Sequence, residues 1–142
     1  MGDSYKVLER YGNSIDKVVF ATHVAGSTFQ DNSQEFFGVL AQNKYILKNT
    51  RIILQRDLNN EHDPNAVKVC ISLPWYKSYF FAGYVPREDA ELISFAIDND
   101  EYEVITYNPR VFGGIEDKEY YGLFFNYRII TKDKLTNGKI RI

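Results

Sequence analysis

Six short stretches of the chain alternate apolar with polar residues, are rich in β-branched and aromatic side chains, and are separated by turn-forming residues. Successive side chains of a strand point to opposite faces, so each stretch predicts a strand with one face buried. They are "KVVFATHVA" (17–25), "TRIILQR" (50–56), "AVKVCISL" (66–73), "YFFAGYV" (79–85), "YEVITYN" (102–108) and "YYGLFFNYRII" (120–130). Six such strands at this spacing predict a mainly β domain, a small barrel or sandwich.

Two segments break the period of two. In "PREDAELISFAIDND" (86–100), Pro86 suits a first helical turn, and Glu88, Asp89 and Glu91 complement the positive helix start. Leu92, Ile93, Ala96 and Ile97 form one apolar stripe, so a helix is predicted. "NSQEFFGVLAQ" (32–42) predicts a shorter helix, with Ser33 as a candidate cap, Phe36, Phe37 and Leu40 on one face, and Gly38 a weak point inside it. Near the end, Asn137-Gly138 followed by alternating Ile140 and Ile142 predicts a tight terminal hairpin.

A length of 142 residues suits one domain, and Cys70, the sole cysteine, excludes an internal disulfide or a thiolate zinc site. The polar start "MGDSYKVLERYGNSID" is not a signal peptide, and no apolar run reaches the roughly 18 residues of a membrane span, so a cytoplasmic protein is expected. The net charge of −2 argues against general attraction to phosphate. Charge is unevenly placed, however. Glu88 to Glu103 holds seven acids and no base, whereas Arg128 to Ile142 holds five bases against Asp133 alone.

Phosphate loops, dinucleotide fingerprints, nucleophile elbows and HExxH motifs are all missing. His23 lies in an alternating strand, where a packed histidine is the usual case. The remaining chemistry is concentrated in "DLNNEHDPNAVKV" (57–69). A calcium loop starting at Asp57 would need Gly and Glu where His62 and Lys68 stand, so this is not an EF-hand. Three readings remain. Asp63-Pro64-Asn65 is the composition of a type I turn; Asp57, Glu61, His62 and Asp63 could supply a hydrolytic metal site; and the same polar groups could bind a ligand.

The order and spacing of "VAGSTF", "SQEFFGVL", "IILQRDLNNEHDPNAVKV" and "AGYVPREDAELI" resemble the HIRAN domain, found at the N-terminus of helicase-like transcription factor and as free-standing bacterial and phage proteins. The resemblance spans residues 18–130, with 1–17 as an extension and 131–142 as a basic hairpin or tail. Its most specific part is Arg56, Asp57, Asn60, Asp63 and then Asn65-Ala66-Val67. The family implies an OB-like six-stranded β-barrel with two short α-helices that binds single-stranded DNA and holds a free 3′-hydroxyl end.

Carried onto this chain, the resemblance places Asn60, His62 and Asp63 at the end-binding site, with the aspartate accepting from the terminal hydroxyl. Phe29 matches a ring that stacks on a base, Tyr84 and Arg87 match contacts to the nucleotide and its phosphate, and Tyr120 or Tyr121 matches a second stacking ring. Thr28 stands where eukaryotic members have arginine, and His62 where they have tyrosine. Both departures predict weaker phosphate and base contacts. The expectation is a DNA-binding module without catalysis or cofactor, used in repair or replication-associated processing beside a helicase or nuclease partner. A protein-interaction module and a metal-dependent hydrolase are the alternatives.

Overall fold

The computed structural model describes residue 15 and residues 17–26, 33–75, 78–113 and 120–132. Thr28, Phe29, the predicted Asn137-Gly138 hairpin and all of the N-terminal extension except Lys17 and Ile15, which is buried in the core, lie outside these residues. Each predicted strand segment holds one strand: β1 (Phe20–His23), β2 (Arg51–Arg56), β3 (Val67–Ser72), β4 (Phe80–Tyr84), β5 (Tyr102–Gly113) and β6 (Tyr121–Thr131). Three helices accompany them: α1 (Ser33–Gln42), α2 (Lys44–Lys48) and α3 (Arg87–Asp98).

The strands form two antiparallel three-stranded sheets, in the orders β1-β6-β5 and β2-β3-β4. Their inner faces share one core. Leu123, Phe125, Tyr127 and Ile129 of β6 are buried in one cluster with Val67, Val69 and Ile71 of β3, and with Phe37, Leu40, Ala90, Ile93 and Ala96 from the helices. Alternation along β6 is therefore the signature of a single inward face, each large side chain contributing about 1.5–3 kcal/mol on burial.

Among the described residues the ladders do not close the expected OB-like barrel. On one side an isolated bridge joins the sheets, with Ala25 N–H donating to Tyr84 O (2.7 Å) and Tyr84 N–H to Ala25 O (2.9 Å). On the other side the edges of β2 and β5 face each other without a ladder between them. The Thr106 hydroxyl donates to Ile52 O across this seam at 2.7 Å, and a cleft of about 540 Å³ runs along it. The architecture is thus two sheets hinged at one seam and open at the other.

Four local features differ from the sequence expectation for physical reasons. Strand β5 continues five residues past Asn108, which takes φ 56° at a register shift between Tyr107 and Arg110. Pro109 is tolerated there because β5 is an edge strand. Ser33 does not cap α1; its hydroxyl donates to Ala82 O at 3.2 Å, tying the helix to β4. Gly38 lies in α1 where a Cβ would come within 3.3 Å of the Tyr121 ring, so the glycine makes room for an aromatic. The third helix, α2, went unpredicted; Asn43 caps it by accepting from Ile46 N–H at 3.1 Å.

Helix α3 begins with Glu88 and Asp89 in its first turn as predicted, but Pro86 stands just before that turn, at the N-cap, rather than in it. The Pro86 carbonyl accepts from Asp89 and Ala90 N–H, both at 2.9 Å, and Ala90, Ile93 and Ala96 are buried. Thr22 of β1 donates to the Asp89 carboxylate at 2.6 Å, fixing the helix start to the first sheet. Helix α1 is held mainly by Phe37, which is fully buried. Replacing Phe37 with Ala is expected to cost about 3–5 kcal/mol in denaturant unfolding, and a loss below about 1 kcal/mol would contradict this packing.

Candidate functional site

The segment between β2 and β3 is held from within and from below. Asn60 forms its hub: its Oδ1 accepts from the N–H groups of both His62 and Asp63 at 2.9 Å, while its Nδ2 donates to Asp57 Oδ2 at 3.4 Å. Asp63 then caps the next turn, its Oδ1 accepting from Asn65 N–H at 2.9 Å and its carbonyl from Ala66 N–H at 3.2 Å. The turn reading of Asp63-Pro64-Asn65 is therefore correct.

Arg56 supports the loop from beneath. Its Nε donates to both Asp98 oxygens (3.0 and 3.1 Å), one terminal nitrogen to Ala66 O (2.7 Å) and the other to Pro64 O (3.0 Å). Its acid partner lies in the last turn of α3, 42 positions away, where no strand pattern would place it. The guanidinium fork makes four bonds that a lysine could not reproduce.

Asp57, a motif residue and a candidate metal ligand in the sequence, is held by a tyrosine in the structure. Tyr84, at the end of β4, donates its hydroxyl to Asp57 Oδ2 at 3.0 Å. That bond, ahead of the one from Asn60, lowers the Asp57 pKa below the ordinary carboxylate value against the opposing effect of burial. Burial first, and the Asp57 bond second, push the Tyr84 phenol up, so it remains a protonated donor. The three-residue spacing of Asp57 and Asn60 hinted at a local turn, but nothing in the sequence linked Asp57 to a tyrosine 27 positions away.

Arg87, the first residue of α3, reaches back over the loop. It donates to His62 O at 3.3 Å, and its Nε lies 4.0 Å from Asp63 Oδ2. Arg87 is 77% exposed and Asp63 19% exposed, so the pair is loose on the cation side and well fixed on the anion side. A pair this exposed contributes little stability. The arrangement therefore presents a carboxylate with one oxygen turned toward an exposed cation, beside an exposed His62 and a half-buried Tyr84.

The other candidates are placed elsewhere or held differently. Tyr120 is 58% exposed, whereas the Tyr121 ring lies against Gly38 and its backbone exchanges two hydrogen bonds with the Gln34 amide. Tyr121 is thus occupied in packing α1. His23 packs its ring 5.6 Å from Phe124. Among the described residues no three of the His, Cys, Asp and Glu side chains converge as a metal-binding group, and no helix is long and apolar enough to cross a membrane. The 540 Å³ cleft is not lined by the loop.

Loop, tyrosine and arginine thus converge from β2, β4 and α3, in the motif order noted in the sequence. The family model of the HIRAN domain matches residues 17–117. The chain belongs to the HIRAN family. HIRAN domains are known as DNA-binding domains, and membership supports a DNA-binding role for this chain. Comparisons with curated proteins and with solved structures return no match.

The Asp57–Tyr84 contact makes acid stability a test of the loop. A carboxylate whose pKa is lowered on folding stabilises the fold above its unfolded pKa and loses that contribution as pH falls through its folded value. The melting-temperature gap between the parent and Asp57→Asn is expected to be widest near about pH 6 and to close toward about pH 2. A gap constant over that range would show that Asp57 ionisation does not support the loop.

Proposed function

We propose that this HIRAN domain binds single-stranded DNA at exposed 3′-hydroxyl ends, as a recognition module in repair or replication-associated processing. The observation that carries the reading is the state of Asp63. One oxygen is used by Asn65 N–H, and the other is turned to the side where Arg87 stands 4.0 Å away. A terminal hydroxyl donates to that second oxygen, and Arg87 swings to the adjacent phosphate.

Each remaining residue takes a part consistent with its surroundings. Asn60 holds the loop through its bonds to His62 and Asp63 N–H, so it acts on the ligand by fixing Asp63. Tyr84 contacts the last nucleotide beside Asp57. His62, exposed above the loop, adds a smaller contact than a tyrosine would. Of the positions outside the described residues, Phe29 takes the part of a stacking ring and Thr28 that of a weak phosphate contact in this reading, with Tyr120 as the second ring. A stacked base adds about 1–3 kcal/mol, enough that a few such contacts bind without a basic surface.

The negative charge on Asp63 also repels a terminal phosphate, making the chemistry of the end part of the specificity. The domain performs no catalysis in this reading; a helicase or nuclease partner supplies the work. Asp63→Ala is expected to abolish the preference for a 3′-hydroxyl over a 3′-phosphate strand while keeping part of the salt-dependent affinity, as read by fluorescence anisotropy at low salt. A parent protein that binds neither strand would favour a protein-interaction module instead. Equal binding of both strands by the parent would remove end recognition.

A further inference from the structure

The outer face of the β1-β6-β5 sheet carries a row of rings that the end-binding site does not use. His23 of β1 lies opposite Phe124 of β6, which in turn lies opposite Arg110 of β5. Phe112 stands two residues along β5 from Arg110 and so shares its face. The Phe124 ring is 5.6 Å from His23 and 5.4 Å from Phe112. Because Leu123, Phe125 and Tyr127 fill the inner face, these rings have no place in the core. Phe112 is 55% exposed.

This row runs into the candidate site through the hinge. Ala25, two residues after His23 and so on the same face, is the partner of Tyr84 in the bridge between the sheets, which brings the His23 face to the end of β4. Beyond Tyr84 the surface continues to Phe81, whose ring is 5.4 Å from Tyr84, with Lys68 Nζ 5.6 Å above it.

Charge selects the occupant. Arg110 donates to Asn126 Oδ1 at 2.7 Å and to Asn108 O at 2.9 Å; both acceptors are neutral, so these two bonds place a positive charge beside the rings without cancelling it. On the opposite side of the loop, a hollow of about 520 Å³ is lined by Asn65, Glu91, Asp98, Asp100 and Glu101 among others. A phosphate backbone leaving Asp63 is repelled there and drawn toward Lys68 and Arg110.

We propose that the Phe112, Phe124 and His23 row is a stacking track for single-stranded DNA, receiving the nucleotides that precede the end held at Asp63. The proposal rests on the end-binding reading and extends it from one nucleotide to a path across both sheets. Rings on a sheet face beside cationic side chains are suited to a strand of any sequence, since every base has a π-face.

Fluorescence anisotropy with 5′-labelled thymidine strands of about 4 and about 12 nucleotides tests the track, the longer one exceeding what the end site alone can cover. Phe112→Ala is expected to weaken binding of the longer strand roughly 5-fold or more and of the shorter less than about 2-fold, while Phe112→Tyr restores it. Arg110→Gln, an independent readout, is expected to lower the salt slope for the longer strand by roughly 0.7. A parent that binds both lengths, with Phe112→Ala unchanged or equally weakened at both, overturns the track and leaves the end site standing. A parent that binds neither length overturns both readings.

Discussion

Two backbone hydrogen bonds between Ala25 and Tyr84 connect the two sheets, and the candidate site depends on them. They fix the end of β4, which sets the Tyr84 hydroxyl on Asp57; Asp57 meets the Asn60 amide, and Asn60 holds the N–H groups of His62 and Asp63. A continuous chain of hydrogen bonds therefore runs from the first sheet to the carboxylate proposed to receive the hydroxyl. Arg56 completes the support from beneath by joining Pro64 and Ala66 to Asp98 of α3. The loop is polar and half-exposed, yet its shape is specified at nearly every residue, which is the condition for a site that recognises a single group by geometry.

The strands were legible because a half-buried sheet imposes a period of two, and β6, with Leu123, Phe125, Tyr127 and Ile129 buried in alternation, obeys it until Ile130, which is buried beside Ile129. The α3 helix was legible from its acidic start and apolar stripe. What the pattern could not carry was closure: whether β2 and β5 pair is decided by how far the sheets splay, and the single Thr106 to Ile52 bond spans the distance that a ladder would have closed. Helix α2 was missed because five residues are too few to display a stripe, although Asn43 ahead of them is a cap.

Within the site, local relations were readable and distant ones were not. Asp63-Pro64-Asn65 announced its turn, and Asn60 and Asp63 stood at motif spacing. The Asp57–Tyr84 and Arg56–Asp98 contacts join residues 27 and 42 positions apart, and only folding reveals them. Tyr121 shows the reverse: a tyrosine at a candidate position whose ring is absorbed by the glycine notch of α1. The chain's slight acidity is also compatible with DNA binding once charge is mapped to faces, because the acids gather along α3 and its following turn while Lys68 and Arg110 stand among the rings.

Amide chemical-shift mapping of the full chain, titrated with a short single strand ending in a free 3′-hydroxyl, addresses the central claim most directly. The account predicts the largest shifts in two separate stretches, Asn60 to Asn65 and Tyr84 to Arg87, because the ligand is held between the loop and the start of α3. Shifts confined to the β2–β5 seam, at Thr50 to Leu54 and Tyr102 to Tyr107, or no shifts at saturating strand, would contradict it.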